Sequence, residues 1–211
     1  MGSRGQSSGA GKLTAGEKSA IEEYVSGDFM WINQYLRGRG DFGDLSDAEK
    51  ESLKNLDKAT NRDLPEITLY RSVDAEAIFG SMSDGDYEDL TSLLVYGNSA
   101  FGKGTYAENM VKRLNGLVNK TEGKTIPEKG FMSTTRDYNV AREWGDFTGS
   151  NRPVTVEIKT KRGTKGLDVS YTDKNANGEA QKEVLLGRNQ KIKVNKVSSR
   201  DGQIYVSVEV V

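Results

Sequence analysis

The chain contains no histidine and no cysteine, and these two absences exclude more chemistry than any single motif supplies. Without imidazole there is no His-based triad, no His metal site and no proton shuttle titrating near neutrality. Without thiols there is no disulfide, no thiol nucleophile and no Cys zinc site, so the fold stands without covalent staples. Carboxylates, hydroxyls, amides, Lys and Arg remain, which points away from most hydrolases. No stretch approaches the roughly 20 consecutive apolar residues of a membrane helix, and the N-terminus has no apolar core of a secretory signal. Charge is balanced as well: 30 Lys and Arg face 31 Asp and Glu, a net charge of -1. There is no broad basic footprint of the kind that drives nucleic-acid binding. The compact strip "KTKRGTK" (159–165) keeps nucleic acid open as an acceptor, although such strips are more often solvated turns.

At 211 residues with 35% apolar content, the chain can bury one core, and one domain is the default. The opening "MGSRGQSSGAGK", residues 1–12, is Gly/Ser-rich and is expected to be a flexible tail outside the fold. Two Ser/Thr-x-x-Glu helix starts follow, Thr14 with Glu17 and Ser46 with Glu49. Between them a helix is expected from about Asp28, with Phe29, Ile32 and Leu36 on one face and glycines ending it. "EITLYRSV" (66–73) is the first strand, on which Ile67, Leu69 and Arg71 share a face. Residues 74–124 are expected to be a helical insertion. One helix is centred on Tyr87, Leu90 and Leu94. A second starts at Thr105 with Glu108 completing a third capping box, and Met110, Val111, Leu114, Leu117 and Val118 form its apolar stripe. From residue 130 the pattern is mostly strands, with a short helix around Val140, Ala141 and Trp144. The last two strands alternate across a turn at "RDG". Helices first and mostly antiparallel strands afterwards argue an α+β fold.

Two segments imitate ligand loops. "GNSAFGKGT" (97–105) nearly matches the phosphate-cradling G-x-x-x-x-G-K-[ST], but position 104 is Gly and the Thr falls one place late. "DKNANGEAQKEV" (173–184) begins like a calcium loop, yet its twelfth position is Val184 and Glu183 falls one short of the bidentate place. No metal site is expected from either.

The remaining candidates are Arg71 at a strand end, Ser133, Thr134 and Thr135 in a second strand, Glu183 in a third, and arginines at 37 and 152. Each alone has a bland explanation: a surface cation, β-propensity, a solvated strand face. Together they suit a ligand with a pyrophosphate and a ribose. Arg presents a planar fork to phosphate oxygens, and a carboxylate aimed at a sugar stabilises an oxocarbenium-like transition state without metal or imidazole. In "GEAQKEVLLG" (178–187), extended geometry would place Gln181 and Glu183 on one side.

Several of these fragments also carry a family likeness. "LTAGEKSAIEEYVSGDFMWINQYLRG", "LDKATNRDLPEITLYRSV", "GKTIPEKGFMSTT", "DFTGSNRPVTVEI" and "EAQKEVLL" follow one another in the order of the Arg-Ser-Glu class of mono-ADP-ribosyltransferase toxins. The chain resembles that class, in particular the clostridial Rho-modifying exoenzymes and the catalytic chains of actin-modifying binary toxins, across most of 13–73 and 124–211. The resemblance implies an ADP-ribosyltransferase fold, with N-terminal helices packed on two small, mostly antiparallel sheets around an NAD cleft. It implies Arg37, Arg71 and Arg152 on the phosphates of NAD, and Trp144 or Phe147 near the nicotinamide. Thr134 belongs to the same cofactor-binding strand. Glu183 would stabilise the cation that develops as nicotinamide leaves, with Ser133 holding its carboxylate, and Gln181 would meet the acceptor. In the family Gln at this place goes with amide acceptors, whereas Glu goes with Arg.

A protein acceptor is therefore expected, a small GTPase or another host protein, with the chain itself a soluble monomer. It is expected to be delivered or secreted and to act in a target-cell cytosol, without a visible signal peptide. The alternatives are an NAD glycohydrolase and a non-catalytic interaction domain of the same fold. The chain departs from the Rho-modifying pattern in its 74–124 insertion and at Gly178, where those enzymes carry an aromatic; Tyr171 is the nearest substitute.

Overall fold

The computed structural model describes residues 12–38, 45–147, 150–170 and 182–211. Nearly all of the expected tail, and the calcium-like segment up to Gln181, lie outside the described residues. In chain order the helices are α1 (Ala15–Glu23), α2 (Phe29–Leu36), α3 (Asp47–Thr60), α4 (Glu76–Phe79), α5 (Asp84–Tyr96), α6 (Thr105–Thr121) and α7 (Tyr138–Phe147). The strands are β1 (Thr68–Asp74), β2 (Thr125–Glu128), β3 (Met132–Thr135), β4 (Pro153–Lys159), β5 (Gly166–Asp168), β6 (Glu183–Leu186), β7 (Gln190–Arg200) and β8 (Gln203–Val210). The α+β expectation holds, with the first strand starting two residues later than its sequence pattern.

Both early capping boxes form. The Thr14 hydroxyl accepts from the Glu17 amide at 3.2 Å while the Glu17 carboxylate accepts from the Thr14 amide at 2.8 Å. Ser46 and Glu49 repeat the exchange at 3.3 and 2.7 Å. Each box satisfies two amides that a helix start would otherwise leave to water. The third expected box does not form. Gly104, at φ 109, occupies the N-cap without a side-chain hydrogen bond, and Thr105 is already inside α6. The glycine reverses the chain one residue before the Thr-x-x-Glu pattern suggests. On α6 the deeply buried positions are Ala107, Leu114 and Thr121, while Met110, Val111, Leu117 and Val118 are half-buried.

The chain divides into two compact units. The first comprises Met1–Ile67, Glu128–Thr134 and Thr160–Gln190. In it α1 packs on α3, and α3 on β5, while the strand order is β3-β6-β5. Ile21, Tyr24, Ile32, Leu56, Phe131 and Leu185 are fully buried members of its core. A wide turn, Tyr24–Asp28, separates α1 from α2 and contains Gly27 at φ 146, a conformation that favours glycine. It turns the Tyr24 ring against the edge of Phe131, with centroids 5.8 Å apart.

The second unit comprises Thr68–Pro127, Thr135–Lys159 and Lys191–Val211. Its central strand β4 pairs antiparallel with β1 and parallel with β8, and β7 closes on β8 as a hairpin. The hairpin turns at Asp201 and Gly202, both at positive φ, 51 and 79, the geometry that matches strand twist in two-residue hairpins. Along β8, Ile204, Val206, Val208 and Val210 are buried and alternate with half-buried neighbours, as a strand covered on one face requires. Helix α7 packs against β1 and β4, and α5 against β8. No described helix is long and apolar enough to cross a membrane.

Replacing Thr14 with Ala should lower unfolding stability by about 1 kcal/mol, the usual worth of an N-cap. Thr105→Ala, which removes no cap, should cost less than roughly 0.5 kcal/mol. Urea denaturation of the two variants checks the contrast.

Candidate active site

Glu183 begins β6, a strand whose four residues are all buried, and its own exposure is 5%. A carboxylate at a strand end usually meets water. This one is folded inward, which costs free energy unless other groups receive it. β6 lies beside β3 in the strand order, and the buried Thr134 hydroxyl donates across to the Val184 carbonyl. On the other side the Val169 amide donates to the Glu183 carbonyl at 3.0 Å. Ser133 and Thr134 are therefore brought to the strand that carries Glu183, with Ser133 half-buried.

Between Gln181 and Glu183 the backbone departs from the extended geometry on which their expected alternation rests. Lys182 is left-handed at φ 52, so the extended register begins only at Glu183. Gln181 itself lies outside the described residues, as do Tyr171 and Gly178.

Arg37 follows the last residue of α2 and meets Glu128 edge-on, its Nε donating to Oε1 at 2.9 Å and its Nη2 to Oε2 at 3.0 Å. The same Oε1 accepts from the Gly130 amide at 2.8 Å. One turn back on α2, the buried Asn33 amide works in two directions. Its Nδ2 donates to the Tyr24 hydroxyl at 2.9 Å and its Oδ1 accepts from the Phe131 amide at 2.8 Å. A Cβ at Gly130 would stand 2.5 Å from Asn33 Oδ1, so the loop approaches the helix this closely only with glycine there. Sequence reasoning missed Glu128 and Gly130. The one available signal is the Glu-x-Gly just before the Ser133 strand, and its partner lies 91 positions away.

The other expected residues belong to the second unit. Arg71 is half-buried on β1, opposite Val156, and the preceding Tyr70 pairs with Thr135. Thr135 is buried and its hydroxyl accepts from the Asp137 amide at 3.0 Å. Trp144 is half-buried on α7, while the Phe147 side chain lies outside the described residues. Arg152 is already engaged. It pairs with Asp74 at 3.4 Å and Asp84 at 3.6 Å, and donates to the Met82 carbonyl. Partial burial pushes the Asp74 carboxyl up, but the Glu76 amide, the Ser150 hydroxyl and Arg152 together outweigh it and hold it below the usual carboxylate range. The P-loop-like segment falls between two helices, α5 and α6, where Gly97–Phe101 forms a tight 3-10 turn. No strand leads into it, as a phosphate loop requires.

The family model for the ADP-ribosyltransferase exoenzymes matches residues 3–211. The chain belongs to this family. No curated protein matches the transferase chain. Among solved structures, C3stau2 of S. aureus, determined with NAD, is 25% identical with a TM-score of 0.63, over 95% of this chain and 88% of that one. C3larvin, an ADP-ribosyltransferase toxin of Paenibacillus larvae, is 27% identical with a TM-score of 0.60, over 95% and 89%. The ADP-ribosylating toxin BECa of a C. perfringens binary enterotoxin, determined with NADH, is 21% identical with a TM-score of 0.64. That likeness concerns the fold alone. It covers 95% of this transferase but only 44% of BECa, so the chain spans less than half of that toxin's length.

Two outcomes are expected from this geometry. Thr134→Val keeps the shape but removes the hydroxyl that donates to the Val184 carbonyl, and should cost about 0.5–1.5 kcal/mol in chemical denaturation. Because the Asp74 carboxyl is depressed on folding, its contribution is present above the unfolded value of about 3.9 and is lost as pH falls through the lower folded value. Asp74→Asn should therefore flatten the decline in melting temperature below about pH 4. The effect should be modest and weaker in high salt, since the side chain is 35% exposed.

Proposed function

We propose that the chain cleaves the nicotinamide–ribose bond of NAD and transfers ADP-ribose to a side-chain amide of a target protein, as a toxin or effector delivered into the cell that holds this target. The observation that carries the reading is the burial of Glu183 at the head of β6 beside the Ser-Thr-Thr strand. The NAD and NADH in C3stau2 and BECa support the choice of dinucleotide. The family match across 3–211 supports taking 13–211 as one transferase domain, with 74–124 as its helical insertion.

In this reading Glu183 hydrogen-bonds the nicotinamide ribose and stabilises the positive charge that develops on it. A fixed carboxylate does this best where water is excluded. The electron pair of the broken bond leaves with nicotinamide. The acceptor nitrogen then bonds the ribosyl carbon and releases its proton to solvent. Ser133 holds the Glu183 carboxylate, and Thr134 fixes the strand beneath it. Arg37 and Arg71 take the phosphates, Trp144 and Phe147 border the nicotinamide, and Gln181 orients the acceptor amide. Arg152 has two carboxylates and a carbonyl already in hand, and its part is to hold residues 74–84 rather than phosphate.

Incubation with labelled NAD and a cell lysate should label protein, and Glu183→Gln should reduce transfer by about 10²–10³-fold. Undiminished transfer by that variant would overturn the mechanism. Nicotinamide release without labelled macromolecules would identify water as the acceptor. Mass spectrometry should find the adduct on Asn or Gln; an Arg adduct would contradict the role given to Gln181.

A further inference from the structure

We infer that Glu128 is a positioning residue that orients the Arg37 guanidinium for the diphosphate of the substrate. This rests on the proposed function, in which Arg37 meets phosphate. An arginine on a free helix end has many rotamers, and a ligand that binds it must first select one. Glu128 removes that freedom by gripping two nitrogens at once, Nε and Nη2, at 2.9 and 3.0 Å. A single contact would leave the plane free to rotate, whereas two fix it. Of the five guanidinium N–H groups, the three not used by Glu128 point away from it and have no partner among the described residues. They form the edge that an anion would meet. The pair is only partly shielded, with side-chain exposures of 27% and 19%, so a ligand can reach it from solvent.

Glu128 is in turn held by the backbone. The Gly130 amide donates to its Oε1, and Gly130 is pressed against Asn33 and Arg37 so closely that a Cβ would stand 2.5 Å from Asn33 Oδ1 and 3.3 Å from Arg37 Nη2. The loop that aligns Arg37 thus runs directly into the strand bearing Ser133. An opposing effect exists, because the Glu128 charge repels an incoming phosphate. At a partly exposed pair water screens that repulsion, while the loss of alignment is not screened.

The test compares wild type with Arg37→Ala, Glu128→Ala and the double variant, using NAD alone, with calorimetric titration for affinity and nicotinamide release for turnover. Glu128→Ala should weaken NAD binding about tenfold while kcat stays within about twofold, since kcat falls only when transition-state contacts are lost. Arg37→Ala should weaken binding at least as much, and the double variant no further, because the two residues act as one unit. Glu128→Gln, nearly the same shape, should retain the melting temperature and still weaken NAD binding, which covers the case in which the alanine variant does not fold. Unchanged or tighter NAD binding by the Glu128 variants, or fully additive losses, would overturn the positioning role while leaving Arg37 as a phosphate ligand. Unchanged binding by Arg37→Ala would overturn the phosphate assignment itself, and this inference with it.

Discussion

The two-way amide of Asn33 is the constraint on which the first unit depends. A buried side-chain amide has to satisfy both its donor and its acceptor, or it destabilises the core that surrounds it. Here the donor is used on the Tyr24 hydroxyl and the acceptor on the Phe131 amide, so a helix and the chain entering β3 are tied at one point. Tyr24 and Phe131 then meet ring to edge. The register of α2 against 128–131 follows, and with it the meeting of Arg37 and Glu128. Apolar packing alone would permit neighbouring rotations of α2; directional hydrogen bonds select one.

From that point the chemistry becomes a matter of exclusion. In the proposed reading a carboxylate meets developing positive charge, and a carboxylate is more effective where water does not compete. β6 provides this by being buried along its whole length. Strand pairing supplies backbone partners for the peptide groups, and the Thr134 hydroxyl adds a further one. The same arrangement that stabilises the strand therefore places an acidic group in a dry setting.

Local features were legible in the sequence and distant ones were not. The Thr14 and Ser46 boxes could be read because a cap and its partner lie three residues apart. The Thr105 box failed for an equally local reason, since the backbone freedom of Gly104 moved the helix start. The strand pattern of β8 was plain from its alternating valines. The burial of Glu183 was not, because it depends on β3 arriving beside it from fifty positions earlier in the chain. Arg37 could be recognised as a cation of interest, but its carboxylate partner could not, nor could the acidic residues that occupy Arg152. The family likeness identified the motifs, while the partners of each charge came from the folded chain.

The left-handed Lys182 acts as a joint in the peptide. β6 begins just after it, buried along its length and flanked by β3 and β5. In the proposed reading the joint separates Glu183, which breaks the bond, from Gln181, which meets the acceptor.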